Sequence, residues 1–169
     1  KSINESLLQA ATYNDRKLDL HYIHSEKLND SNVAETLKGL DGILIAPGFG
    51  QRGIEGKFVA IKYARENDIP TFGICLGMQC MVIEFARNVL GYEDAHSVEM
   101  DVKTKHNVID LMDSQKSISN LGGTMRLGAY DCQLDATSTP ARAYGKTLIS
   151  ERHRHRFEFN SDYREEFEK

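Results

Sequence analysis

The apolar positions change period several times along the chain, and each change predicts an element. Ile3, Leu7, Leu8 and Ala11 recur at helical spacing over residues 3–13. Leu18, Leu20 and Tyr22 then alternate with polar residues, which predicts a strand over Lys17 to His24. After a polar loop at Asn29-Asp30-Ser31-Asn32, Val33, Leu37 and Leu40 suit a short helix. Gly42-Ile43-Leu44-Ile45-Ala46 is a continuous apolar run, as expected of a strand buried on both faces. Phe58 to Asn67 reads as a helix burying Phe58, Ile61 and Ala64 or Arg65, and Pro70 to Ile74 as a second buried strand. Gly77 to Leu90 reads as a helix with Met78, Met81, Val82 and Phe85 turned inward. Beyond Gly91 the pattern weakens to short strands around Val108-Ile109, Thr124 to Leu127 and Arg152 to Phe159, with a helix near Ala141. Strand–helix alternation of this kind implies an α/β fold: a doubly wound, mostly parallel sheet with helices on both faces.

Composition narrows the class without naming a function. The chain has 169 residues, 40% of them hydrophobic, which suits a single domain with a self-sufficient core and excludes disorder as the default. Twenty-one Lys and Arg against 25 Asp and Glu give a net charge of −4, which argues against nucleic acid as a partner. The longest uncharged stretch, Ile69 to Ile83, is too short for a membrane span and is interrupted by Pro70, Gly73 and Gly77. Three cysteines (75, 80 and 132) make an odd number, and C-x4-C is neither a zinc nor a redox signature, so free thiols and a cytoplasmic location are expected. Lys-Ser-Ile-Asn at the start offers no initiator Met and no signal region, so the sequence is expected to be a portion of something longer.

Three segments carry candidate chemistry. In Gly73-Ile74-Cys75-Leu76-Gly77, a cysteine stands between a predicted strand and a predicted helix inside G-x-C-x-G, the spacing of a nucleophile elbow. Small residues two before and two after permit the sharp turn. A helix N-terminus favours thiolate over thiol, and the Leu76 amide would face a developing oxyanion. Cys80 and Cys132 lack such surroundings and are expected in the core.

The second segment, Gly48-Phe49-Gly50-Gln51-Arg52-Gly53, imitates the dinucleotide fingerprint G-x-G-x-x-G. Against that reading, Pro47 ends the strand early, the helix is expected only after Gly56, and no acidic residue tips the next strand. Gly56-Lys57 likewise fails as a phosphate loop. The better reading is a backbone loop beside Cys75 whose Gly48 amide completes an oxyanion hole.

The third, Arg152-His153-Arg154-His155-Arg156, places three arginines on one face of a strand and two histidines on the other. A solvated basic face is the plain reading. Two histidines without further ligands are weak evidence for a metal, and no metal site is assigned. An arginine could instead hold a substrate carboxylate.

Together, Gly73-Ile74-Cys75-Leu76-Gly77-Met78-Gln79, Gly122-Gly123-Thr124-Met125-Arg126-Leu127-Gly128 and Glu151-Arg152-His153-Arg154-His155-Arg156-Phe157-Glu158 resemble the glutamine amidotransferase domain of the CTP synthase family, over nearly the whole chain. The resemblance implies hydrolysis of L-glutamine through a cysteine thioester, with ammonia passed to a separate synthetase domain that aminates UTP to CTP. It implies no cofactor in this portion, ATP and Mg²⁺ in the synthetase domain, and a homotetramer. By position, Cys75 matches the nucleophile, Gly48 the glutamine-contacting glycine of the upstream loop, and Leu76, Gly77, Met78 and Gln79 the contacts after the nucleophile. Glu99 matches a glutamate suited to the glutamine ammonium, and Arg156 a glutamine-contacting arginine.

Three departures accompany the match. Ala46-Pro47-Gly48-Phe49-Gly50 stands where many members read Pro-Gly-Gly-Phe-Gly. The family's opening strand has no counterpart. No His-Pro-Glu occurs to activate the thiol, and His155 with Glu158 is a poor substitute, because i and i+3 on a continuous strand face opposite ways. The expectation is therefore a truncated amidotransferase domain over residues 1–169 that hydrolyses glutamine poorly or not at all by itself. A stand-alone cysteine-elbow hydrolase and a regulatory module with a vestigial elbow are the alternatives.

Overall fold

The computed structural model describes residues 1–111 and 126–169. Its site-bearing half is a β–α–β–α run: β1 (Ile43–Ile45), α3 (Ile54–Glu66), β2 (Thr71–Gly73) and α4 (Leu76–Asn88), preceded by α1 (Ser2–Tyr13), a single 3-10 turn (Ser25–Lys27) and α2 (Val33–Thr36). β1 and β2 are parallel, with Ile43, Leu44 and Ile45 opposite Thr71, Phe72 and Gly73. The remaining ladders are antiparallel: β3 (Ile109–Leu111) with β6 (Phe157–Phe159), and β4 (Arg126–Gln133) with β5 (Leu148–His155). A short helix, α5 (Thr139–Tyr144), is capped by the Ser138 hydroxyl and closed by left-handed Gly145. After β6 come a second 3-10 turn (Ser161–Tyr163) and α6 (Arg164–Phe167). The α/β class holds, with the parallel pairing confined among the described residues to the ladder that carries the cysteine.

The core gathers where α3 and α4 pack on β1, through Ile45, Ile54, Phe58, Ile61, Leu76, Cys80 and Ile83. Across the same helix pair, Arg65 donates from Nε and Nη2 to both oxygens of Glu84, at 2.8 to 3.2 Å. Glu84 is 1% exposed, and the carboxylate beside Arg65 holds the guanidinium pKa above its usual value. A buried charge in this position requires such a partner.

Several expectations change at this level. Residues 17–24 form no strand, because no described strand offers them a ladder of N–H and C=O partners. α3 begins at Ile54, ahead of the predicted start, since left-handed Gly53 at its N-cap turns the chain early. Gly56 then lies inside the helix, where a Cβ would come within 1.7 Å of the Ser25 carbonyl oxygen. The two parallel strands are only partly buried: Ile45 is covered, but Phe72 on β2 is 66% exposed.

The buried stripe of α4 is Leu76, Gln79, Cys80, Ile83 and Ala86, one turn-face away from the predicted one. Met78, Met81, Val82 and Phe85 instead line an open apolar groove of about 410 Å³ with Phe72 and Phe167. Both stripes satisfy helical spacing, and packing on α3 selects between them. Cys80 is buried as expected, but Cys132 is exposed on β4, and all three thiols are free. The predicted segment at Thr124-Met125 and the Gly122–Met125 part of the second motif lie outside the described residues. No described helix is long and apolar enough to cross a membrane.

Candidate active site

Cys75 occupies the N-cap of α4 with φ 55° and ψ −115°, a conformation rare for a residue with a side chain. Packing over-determines it. The Ile74 amide donates to the Ile45 carbonyl at 3.1 Å, and the Gly77 amide to the Ile74 carbonyl at 2.9 Å. The first turn of α4 is then registered by the Gln79 amide donating to the Cys75 carbonyl at 3.1 Å. Neither flanking glycine tolerates a Cβ. At Gly77 it would lie 2.0 Å from the Ile45 carbonyl oxygen, and at Gly73 2.5 Å from the Met78 amide nitrogen. The glycines of G-x-C-x-G are thus required by the approach of helix to strand. Strain held by its surroundings, at a half-buried thiol on a helix N-terminus, is the arrangement of a nucleophile elbow.

The glycine-rich loop packs beside this turn. A Cβ placed on Gly48 would sit 3.4 Å from the Leu76 side chain and 3.6 Å from Lys57 Nζ, so Gly48 and the residue after Cys75 are neighbours. Lys57 donates from Nζ to the Ala46 carbonyl at 2.8 Å and fixes the end of β1 where the loop departs. The spacing of Lys57 after the glycines carries no signal for this contact. The last glycine of the loop, Gly53, abuts Ser25 and Glu26: a Cβ there would meet Ser25 Oγ at 2.6 Å and the Glu26 side chain at 3.2 Å. Arg52 pairs with Glu26 at 2.7 Å. The Glu26 carboxylate at that helix start would repel a phosphate, which counts against the dinucleotide reading of this loop.

Two further hydrogen bonds draw in the other predicted site segments. Gln51 donates from Nε2 to the Met100 carbonyl at 2.6 Å, tying the loop to the turn that carries Glu99. Glu99 itself is exposed, and its amide donates to Ser97 Oγ at 3.2 Å. Gln79 is buried and donates from Nε2 to the Phe157 carbonyl at 3.2 Å, which joins α4 to the residue after Arg156. Met78 faces the open groove and Gly77 lies under the strand. Arg156 does not continue the arginine face of β5: it is the bend between β5 and β6, half-buried and already engaged by neighbouring groups. Arg152 and Arg154 remain exposed on the strand.

The titratable groups around α4 separate the two cysteines on it. Burial pushes the Cys80 thiol up to about 11, which leaves it protonated and inert at neutral pH. His96 is held below its ordinary value, first by burial and then by the nearby Arg87 guanidinium. Arg87 sits 4.8 Å over the Phe58 ring and donates to the Ala95 carbonyl at 2.8 Å.

Comparison with known proteins agrees with this geometry. The family model "Glutamine amidotransferase class-I" matches residues 1–169. CTP synthase of Bacteroides thetaiotaomicron is 68% identical over 168 residues, covering 99% of this chain and 31% of that protein. CTP synthase of Porphyromonas gingivalis is 68% identical over 169 residues, covering 100% of this chain and again 31% of the relative. The chain therefore spans about a third of the length of the curated relatives it matches. Among solved structures, the glutaminase domain of Trypanosoma brucei CTPS with bound acivicin superposes with a TM-score of 0.90 at 38% identity, covering 99% of this chain and 64% of that one. A strained cysteine elbow of this geometry, under a family model spanning every residue, has one reading: the chain belongs to the class-I glutamine amidotransferase family.

Proposed function

We propose that this chain is the glutamine-hydrolysing part of a CTP synthase, with Cys75 as its nucleophile. The observation that carries the reading is the positive-φ Cys75 at the start of α4, clamped between two glycines that cannot bear a Cβ. The Cys75 sulfur attacks the amide carbon of L-glutamine. The tetrahedral oxyanion is met by the amides of Leu76 and Gly48, whose residues are adjacent here. Collapse expels ammonia and leaves a glutamyl thioester, which water hydrolyses to glutamate and free thiol.

Arg156 suits the substrate carboxylate and Glu99 its ammonium, each presented on a segment hydrogen-bonded to the elbow or its loop. Any contact of Gly77, Met78 and Gln79 with glutamine would come from their backbone, since Met78 turns to the groove and the Gln79 side chain is held by the Phe157 carbonyl. The base is expected from a histidine outside these residues, since no His-Pro-Glu occurs in the sequence, and the 169 residues alone should hydrolyse glutamine poorly or not at all. Ammonia would pass to a synthetase domain holding ATP, Mg²⁺ and UTP, in a cytoplasmic homotetramer; the similarity to CTP synthases supports that assignment.

The test is covalent. Acivicin, which the Trypanosoma brucei structure contains, should label Cys75 stoichiometrically and spare Cys80 and Cys132, read by peptide mass spectrometry. Label on another cysteine, or none while glutamine is hydrolysed, rejects the assignment.

A further inference from the structure

The histidine face of β5 is not absorbed by the glutamine reading. His153 and His155 alternate on one face of the strand, with ring centroids 5.8 Å apart. On a continuous strand Glu158 would face away from His155. The bend at Arg156, between β5 and β6, breaks that alternation and returns Glu158 to the same side. One ligand atom from each of His153, His155 and Glu158 lies within 4.8 Å of the others, all three residues being half-buried. Backbone register places Gly128 opposite His153, and a Cβ at Gly128 would meet no described atom within 4 Å. Tyr130 supports the His153 ring edge-on at a centroid distance of 5.7 Å.

From this convergence we propose that His153, His155 and Glu158 form a binding site for a divalent transition-metal ion of the zinc type. Two imidazoles and a carboxylate are a borderline donor set suited to Zn²⁺, Co²⁺ or Ni²⁺ rather than to Ca²⁺ or Mg²⁺. Ligand bonds of about 2.1 Å require the three atoms to draw together by roughly an ångström, within reach of side-chain rotation. Three protein ligands leave a fourth coordination position for water or an anion. Glu158 already has a partner in the metal-free chain, so uptake exchanges one contact for another. Occupancy pins the bend that carries Arg156 and the Phe157 carbonyl held by Gln79.

The experiment titrates the untagged full chain, in a Cys75→Ser, Cys132→Ser background that removes thiol ligands, with Zn²⁺ by calorimetry and with Co²⁺ by visible absorption. One saturating equivalent is expected, with a four-coordinate Co²⁺ spectrum. His153→Gln, His155→Gln and Glu158→Gln should each weaken it at least about tenfold. His106→Gln should leave it unchanged. Absence of saturable binding, or binding indifferent to the three substitutions, overturns the site. Should a variant misfold, protection of His153 and His155 from diethyl pyrocarbonate by Zn²⁺ in the chain with both histidines reads the same point. Modification undiminished by the metal overturns the proposal.

Discussion

Residues 43–88 and the β4–β5 ladder are built on opposite economies of space. In the first region the close approaches of helix to strand and turn are dictated by backbone neighbours: the Cβ positions of Gly56, Gly73 and Gly77 are filled by other backbone atoms, while Gly50 at the tip of the loop is open. The Arg65–Glu84 pair locks α3 to α4 beneath them. In the second, Gly128 has positive φ with no described atom within 4 Å of a Cβ, and Arg152, Arg154 and Cys132 are exposed. A strained residue such as Cys75 persists only where surrounding structure leaves the chain no alternative. A ladder open to solvent can present side chains but cannot hold strain.

That contrast predicts unequal responses to small changes. Cys75→Ser should lower glutamine hydrolysis at least about 10⁴-fold, with unchanged thermal unfolding, because the hydroxyl fits the elbow but is not an effective nucleophile there. A residual rate near that of the unsubstituted protein would place the chemistry elsewhere.

Gly77→Ala puts a methyl 2.0 Å from the Ile45 carbonyl and should cost about 3 kcal/mol by denaturant unfolding. Gly128→Ala meets only an unfavourable φ and should cost about 1 kcal/mol. Equal losses at the two glycines would remove the distinction between the regions. Glu84→Gln leaves the Arg65 guanidinium facing a neutral amide and should destabilise by about 2 kcal/mol, discounted because Arg65 is a third exposed.

Alkylation by iodoacetamide at pH 8 should modify Cys75 and Cys132 well before Cys80, whose thiol is raised to about 11 by burial. Early loss of Cys80 would contradict its packing against α3.

The smallest effect concerns acid. The folded pKa of His96 lies below its ordinary value, so the unfolded chain binds the proton more readily, and stability rises with pH across the window between the two values. Above the unfolded value the contribution levels off; His96→Gln should flatten that slope in a pH series of melts.

Much of the elbow is legible in the sequence. G-x-C-x-G names its own sterics: only glycine fits where a helix start meets a strand end, and both contacts appear at Gly73 and Gly77. The apolar stripes were less legible. Met78, Met81, Val82 and Phe85 satisfy helical spacing as well as the stripe that is buried, and nothing in a periodic pattern says which face a neighbouring helix covers. The strand expected at 17–24 failed for the related reason that a ladder needs a partner, which alternation alone does not supply. Lys57 and Gln51 escaped notice because their work is done on carbonyls contributed by residues in other segments, Ala46 and Met100.

The sequence by itself determined the cysteine elbow at Cys75, the glycines around it, the family resemblance and the ordinary α/β architecture, since these depend on local sterics and short spacing. Tertiary structure decided the rest. It chose the buried face of α4, joined the Glu99 and Arg156 segments to the elbow through Gln51 and Gln79, and exposed Cys132. By bending the chain at Arg156 it also brought Glu158 round to two histidines that a straight strand would have kept from it. Each of these depends on which distant atoms fill the space beside a residue, and spacing along the chain carries no record of that.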